Sequence, residues 1–261
     1  MLGAIVGDII GSIYEFTSDK TKDFPLFSPG CHPTDDSLMT LAVGCTCATV
    51  DPEDEYGFKT TLCSLMREIG RKYPDAGYGG EFFAWLQSDT PRPYGSYGNG
   101  SAMRVSPVAY AAGSLAETER LAKWSAEVTH DHPEGIRGAQ AVAAAVYLAR
   151  KGKSKEVIRS YLTEKYYDLH FTPDEIRPAY TFDVTCAGSV PQALVCFLSS
   201  EDFEDAVRLA VSLGGDGDTL AAMAGAVAGA YYGVPEEIAE EAFRYTDDTF
   251  RAYYDECADL F

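Results

Sequence analysis

Basic residues are scarce in this sequence: 21 Lys and Arg stand against 40 Asp and Glu, a formal net charge of −19. So few cations argue against nonspecific binding to nucleic acid, where Lys and Arg must meet phosphate. No apolar run approaches the roughly 18 residues of a membrane span, so no membrane association is expected. The apolar start, Met1 to Ile13, lacks a basic leader region and carries Asp8 at its middle, which speaks against a secretory signal. Seven cysteines, at 31, 45, 47, 63, 186, 196 and 257, include no Cys-x-x-Cys pair. An odd, scattered set reads as reduced thiols in a cytoplasmic protein. A phosphate-binding Gly-x-x-x-x-Gly-Lys-Ser/Thr loop is missing too, and no convincing period-two alternation marks a strand.

What is present is helical. Gly3, Gly7 and Gly11 recur every fourth residue beside a stripe of Ile5, Ile9 and Ile13, the pattern of a central helix approached closely by another backbone. Glu15 stands at its end, where a carboxylate opposes the helix dipole. Residues 17 to 32 read as a polar loop with Pro25, Pro29 and Gly30. Helices are expected over about 36–49, 57–72, 79–87, 117–128, 133–150, 154–169 and 203–212, with others from the glycine-rich loop near 100 to 112 and from Pro191 to 198. One or two more should cover 235–261. An all-α chain of 261 residues with no compositional break is expected to form one domain, 1–261.

Two acidic stretches carry the chemistry. Thr34-Asp35-Asp36-Ser37 and Gly214-Gly215-Asp216-Gly217-Asp218-Thr219 each lead into an apolar run, so each sits at a helix entrance. Capping explains one such cluster, because Asp, Ser and Thr accept from the free N–H groups of a first turn. Four Asp and three hydroxyls are more than two caps need. Packed together, the carboxylates repel one another unless cations lie between them, and hard oxygen ligands suit Mg²⁺ or Mn²⁺. An EF-hand counted from Asp216 fails, since its fifth and twelfth positions are Leu220 and Val227.

A third motif, Tyr94 to Arg104, contains Gly98-Asn99-Gly100-Ser101-Ala102-Met103 and opens a helix. It lacks the third glycine of a dinucleotide fingerprint, yet bare backbone N–H groups at a helix start suit an anion. A flexible turn that needs glycine is the alternative. His130 and His132 form a His-x-His pair before Pro133 without a clear third and fourth ligand, so phosphate contact or capping by His130 is favoured over zinc.

Taken in order, Gly7-Asp8-x-x-Gly11 with Glu15-Phe16, Thr34-Asp35-Asp36-Ser37, Gly98-Asn99-Gly100-Ser101-Ala102-Met103-Arg104, Thr129-His130 and Gly214-Gly215-Asp216-Gly217-Asp218-Thr219 resemble the ADP-ribosylglycohydrolases related to the dinitrogenase reductase-activating enzyme. The resemblance spans nearly the whole chain and implies a compact many-helix bundle around two divalent ions, Mg²⁺ or Mn²⁺. It implies Thr34, Asp35, Asp36, Asp216, Asp218 and Thr219 as ligands, and Gly98, Asn99, Gly100, Ser101, Met103 and His130 against ADP-ribose. Glu15, or Asp36, would move the proton while the bond at the distal ribose is hydrolysed, releasing free ADP-ribose from an amino-acid side chain. The expected partner is an ADP-ribosylated protein or small ADP-ribose conjugate, met by a monomer. Gly217 departs from the family's usual small or hydroxyl residue at a position that should not ligate. A module that binds ADP-ribose with little turnover, and a metal-dependent phosphatase, are the competing expectations.

Overall fold

The computed structural model describes residues 1–17 and 20–260. Ser18 and Asp19, within the loop expected over 17–32, and Phe261, at the end of the last expected helical segment, lie outside the described residues. Helices cover Leu2–Gly11 (α1), Asp35–Thr49 (α2), Glu55–Lys72 (α3), Gly80–Gln87 (α4), Gly100–Met103 (α5), Val108–Ala111 (α6), Leu115–Glu127 (α7) and Pro133–Arg150 (α8). They continue with Lys155–Lys165 (α9), Pro173–Ile176 (α10), Cys186–Ser199 (α11), Phe203–Val211 (α12), Gly217–Tyr232 (α13), Glu236–Phe243 (α14) and Asp248–Cys257 (α15). Among the described residues there is no strand, only an isolated antiparallel bridge between Gly98 and Thr185.

Most of the longer helices begin where the sequence offers a capping oxygen. Asp54 accepts from Gly57 N–H, Ser114 from Glu117 N–H, Asp202 from Asp205 N–H and Asp247 from Phe250 N–H, at 2.7 to 3.1 Å. Each bond satisfies a donor that the helix itself leaves free, a contribution of about 1 kcal/mol. His132 does the same for α8, its Nδ1 accepting from Glu134 N–H at 3.1 Å beside Pro133 in the first turn. That bond accounts for His132 without zinc.

Three expected helices differ. The one expected over 154–169 ends at Lys165, where Tyr166 leaves helical geometry with φ −123° and ψ −71°. The one predicted from the glycine-rich loop to 112 is split into α5 and α6, because Pro107 has no N–H and disfavours helical geometry at Ser106. The helix expected after Pro191 instead starts at Cys186 and contains that proline. Thr185 caps it by accepting from Gly188 N–H at 3.0 Å, so the nucleus forms upstream and tolerates one missing bond. Among its described residues the segment 235–261 holds two α-helices and a 3₁₀ turn over Ala258–Leu260. All seven cysteines are free thiols, and no helix among the described residues is long and apolar enough to cross a membrane.

The centre is an antiparallel contact between α1 and α13. Gly3 faces Gly225, Gly7 faces Ala221 and Gly11 faces Asp218, so the register runs in opposite senses along the two helices. A Cβ at Gly3 would lie 2.1 Å from the Gly225 carbonyl oxygen, at Gly7 2.2 Å from that of Ala221, and at Gly11 2.4 Å from Asp218 Cα. Only bare backbone fits at this separation. Ile5, Ile9 and Ile10 bury the rest of α1, and the alanine-rich α8 packs against α13 from another side.

The α1–α13 contact makes Gly7 intolerant of a single methyl. Gly7→Ala is expected to lower stability by about 3 kcal/mol, because backbone rather than a movable side chain blocks the Cβ. Gly79→Ala, where a Cβ meets nothing within 4 Å, should leave stability nearly unchanged. Urea unfolding of the two variants checks the difference.

Candidate active site

The α1–α13 register sets the site. It brings the end of α1, followed by a 3₁₀ turn over Ser12–Tyr14 and then Glu15, against the start of α13, where Asp216 and Asp218 stand. The start of α2 is drawn to the same point by Asp8 from the middle of α1. Asp8 Oδ2 accepts from Thr34 N–H at 2.9 Å and Ser37 N–H at 3.1 Å. Its Oδ1 accepts from the Thr34 hydroxyl at 2.6 Å, and the Ser37 hydroxyl donates to Oδ2. A buried carboxylate with four donors thus fixes the first turn of α2 and with it Asp35 and Asp36.

Two carboxylate trios result. Oxygens of Asp8, Asp36 and Asp218 lie within 4.8 Å of one another, as do those of Glu15, Asp216 and Asp218, so Asp218 belongs to both. Thr219 Oγ1 donates to Asp36 Oδ2 at 3.2 Å, and Asn99 Nδ2 donates to Asp216 Oδ2 at 2.6 Å. Asp36 Oδ1 is buried with no hydrogen-bond partner among the described residues. Such an orphaned anionic oxygen, in a set made only of carboxylates and hydroxyls, fits a hard divalent cation. Asp35 faces the same cavity but belongs to neither trio.

Electrostatics point the same way. Burial, then the neighbouring carboxylates, push Asp35, Asp36 and Asp218 well above the usual carboxylate range. Burial also raises Asp8 against the bonds from Ser37 and Thr34, and Asp216 against that from Asn99. Glu15 is pushed up to about 7 by burial and by Asp216 and Asp8. It is only half-buried, as Asp35 is, whereas Asp8, Asp36, Asp216 and Asp218 are buried.

Above the acids is a cavity of about 380 Å³. Gly98, Asn99, Gly100, Met103 and His130 line one wall, joined to the loop before α11 by Asn99 N–H to Val184 O at 2.8 Å. Ser101, expected beside them, is a correction: one residue further round α5, it is buried against α8 and its hydroxyl donates to Gly135 O at 2.7 Å. Thr34 also lies behind the cavity wall, its hydroxyl donating to Asp8 and accepting from Asp36 N–H. At the rim Phe16 stacks on Phe182 at 5.6 Å between ring centroids. Gly214 and Gly215 carry the chain past them with φ of +74° and +82°, and a Cβ on Gly215 would meet Phe182 Cα at 2.9 Å.

Sequence reasoning missed Asp8 as a member of the cluster, although an acid in the middle of a glycine-rich apolar helix was the available signal. It also missed Phe182, which sits in a stretch with no periodicity.

An all-helical protein with a shared carboxylate cluster beneath a cavity is the class that fold and site define. More particularly, the ADP-ribosylglycohydrolase family model matches residues 1–260, and the chain belongs to that family. It is 28% identical to ADP-ribosylhydrolase ARH3 of Bos taurus over 95% of this chain and 89% of that one. It is 30% identical to the ADP-ribosyl-[dinitrogen reductase] glycohydrolase of Rhodospirillum rubrum, over 90% and 85%. ADP-ribosylarginine hydrolase Tri1 of Pseudomonas putida (strain GB-1) is 27% identical over 90% and 70%. A solved ADP-ribosylglycohydrolase-related protein complex shares the fold, with a TM-score of 0.70 at 23% identity over 99% of this chain and 95% of that one.

The acid cluster gives the cation-free protein a distinctive pH response. Glu15 has a folded value of about 7 against 4.5 for the free side chain, so the folded state takes up its proton first as pH falls. The buried acids shift in the same direction. Stability in chelator should therefore rise as pH drops from 8 to 5, and be lost again as pH rises through about 7. Added Mg²⁺ or Mn²⁺ should raise the melting temperature more at pH 8 than at pH 5. Thermal scans with and without chelator check both signs.

Proposed function

We propose that this protein is a divalent-cation-dependent hydrolase that removes ADP-ribose from modified amino-acid side chains of proteins and releases it free. The observation that carries the reading is the pair of carboxylate trios sharing Asp218 at the base of a cavity walled by the Gly98–Gly100 loop and His130. The activities named for the relatives from Bos taurus, Rhodospirillum rubrum and Pseudomonas putida support it. Asp36 and Asp216 are 180 positions apart (216 − 36), which favours one domain over the full 1–261.

Asp36, Asp216 and Asp218, with Asp35, Thr34 and Thr219 beside them, are the residues assigned to two Mg²⁺ or Mn²⁺ ions. When bound, such ions lower the pKa of water and orient sugar hydroxyls. Asp36 is better suited to ligation than to proton transfer, because its Oδ2 is already held by the Thr219 hydroxyl and its Oδ1 is buried. Glu15 is the carboxyl assigned to exchange a proton: it is half-buried and faces the cavity, with oxygens of Asp216 and Asp218 within 4.8 Å of its own. In hydrolysis the bond from the ribose anomeric carbon to the side-chain nitrogen or oxygen breaks with its electron pair going to the leaving atom. Glu15 handles the proton that this atom gains or that the attacking water gives up. Gly98, Gly100 and His130 face the ADP-ribose, and Asn99 holds Asp216 in place for it.

Purified protein is expected to release ADP-ribose from an ADP-ribosyl-arginine or an ADP-ribosyl-serine peptide when Mg²⁺ or Mn²⁺ is present, and not in chelator. Glu15→Gln should lower kcat about 10²- to 10⁴-fold with ADP-ribose binding retained. Asp216→Ala should abolish turnover, and wild-type rates in that variant would overturn the metal assignment. Tight ADP-ribose binding with no release from either peptide would replace the hydrolase reading with that of a binding module.

A further inference from the structure

Arg104 is a fully charged side chain in the interior, 1% exposed, and the chemistry assigned above gives it no part. Its Nη1 donates to Gly100 O at 3.0 Å, and its Nη2 donates to Ser125 O and to Thr129 Oγ1, both at 2.8 Å. A guanidinium has no lone pair to offer, so the Thr129 oxygen is the acceptor in that contact. Thr129 Oγ1 also lies 2.7 Å from His130 Nδ1. Thr129 is wholly buried, and Nδ1 is the acceptor within reach of its single hydroxyl hydrogen among the described residues. The direction of the whole chain of bonds follows: Arg104 to Thr129, and Thr129 to Nδ1.

From this geometry we infer that Arg104 and Thr129 are positioning residues that lock His130 as the tautomer with its proton on Nε2, presenting a neutral donor to the ligand. The proposal rests on the reading that the cavity binds ADP-ribose. Nε2 is the ring atom turned toward the glycine loop. A Cβ on Gly100 would stand 3.0 Å from it, and one on Gly98 3.6 Å, so bare glycines leave this edge of the ring open to the cavity. Tyr94 holds the ring from the side, its centroid 5.8 Å away. Burial and the Arg104 charge hold His130 well below its ordinary range, so no second proton arrives at Nδ1.

The consequence is a directional hydrogen bond to an oxygen of a diphosphate or sugar. The tautomer matters most for a diphosphate oxygen, which has no proton to give: with Nδ1 protonated instead, the ring would turn a lone pair toward that oxygen and repel it. Arg104 cannot reverse its bond, unlike an amide or hydroxyl at that place. Its contact with Gly100 O fixes the loop and the ring together, so donor and glycine edge keep one relative position.

The test is the imidazole ¹⁵N spectrum of His130 at neutral pH in ligand-free wild-type protein, Thr129→Val and Thr129→Ser, each with kinetics on an ADP-ribosylated peptide. Wild type should show a protonated Nε2 and a bare Nδ1, and Thr129→Ser should keep that pattern. Thr129→Val should lose it, with KM rising about fivefold, as for one lost neutral hydrogen bond, and kcat changing less than KM. A protonated Nδ1 in wild type, or a Thr129→Val spectrum identical to wild type, would overturn the relay. Because the spectra are taken without ligand, wild type with the expected tautomer but no affinity for ADP-ribose would instead overturn the functional reading of the cavity.

Discussion

Everything in the site hangs on how closely α1 approaches α13. With glycine at 3, 7 and 11, and Gly225, Ala221 and Asp218 opposite, the two backbones touch and cannot slide without a clash. The antiparallel register then places the end of α1 at the start of α13. Glu15 and Asp8 come from one helix and its following turn, Asp216 and Asp218 from the other, and Asp8 draws in α2 through four donors. A looser contact would separate groups whose oxygens now lie within 4.8 Å.

That closeness opposes stability. Buried carboxylates lose hydration and repel one another, and hydrogen bonds from Thr34, Ser37, Asn99 and Thr219 offset only part of the cost, since Asp36 and Asp218 remain far above their ordinary range. A rigid scaffold is therefore required to hold them, and positive charge placed among them would relieve them. The packed backbone seam and the acidic cluster are two sides of one design: the first supplies the constraint that the second strains against.

Much of this was legible in the chain. Glycine every fourth residue beside isoleucine specifies a close helix contact, and Asp and Thr at two helix entrances mark the acidic cluster, because capping and cation binding use the same residue types. Thr34 caps α2 by accepting from Asp36 N–H, while its hydroxyl donates to Asp8. Other features left no periodic trace. Asp8 looked like an interruption of an apolar helix, Phe182 came from an irregular stretch, and Ser101 sat in a motif whose neighbours face the cavity while its own side chain turns into α8. The break between α5 and α6 and the start of α11 upstream of Pro191 depended on which local bonds could form.

The sequence by itself determined the all-α character, the caps, the family and the acidic composition of the site, since these follow from residue type and short spacing. Only the tertiary structure decided that Asp218 is shared by two trios, that Asp8 is the fastening for α2, and that His130 faces the glycine loop behind a buried arginine. The reason is physical: spacing along a helix fixes which residues share its face, whereas contacts between residues more than a hundred positions apart exist only once α1 and α13 have packed.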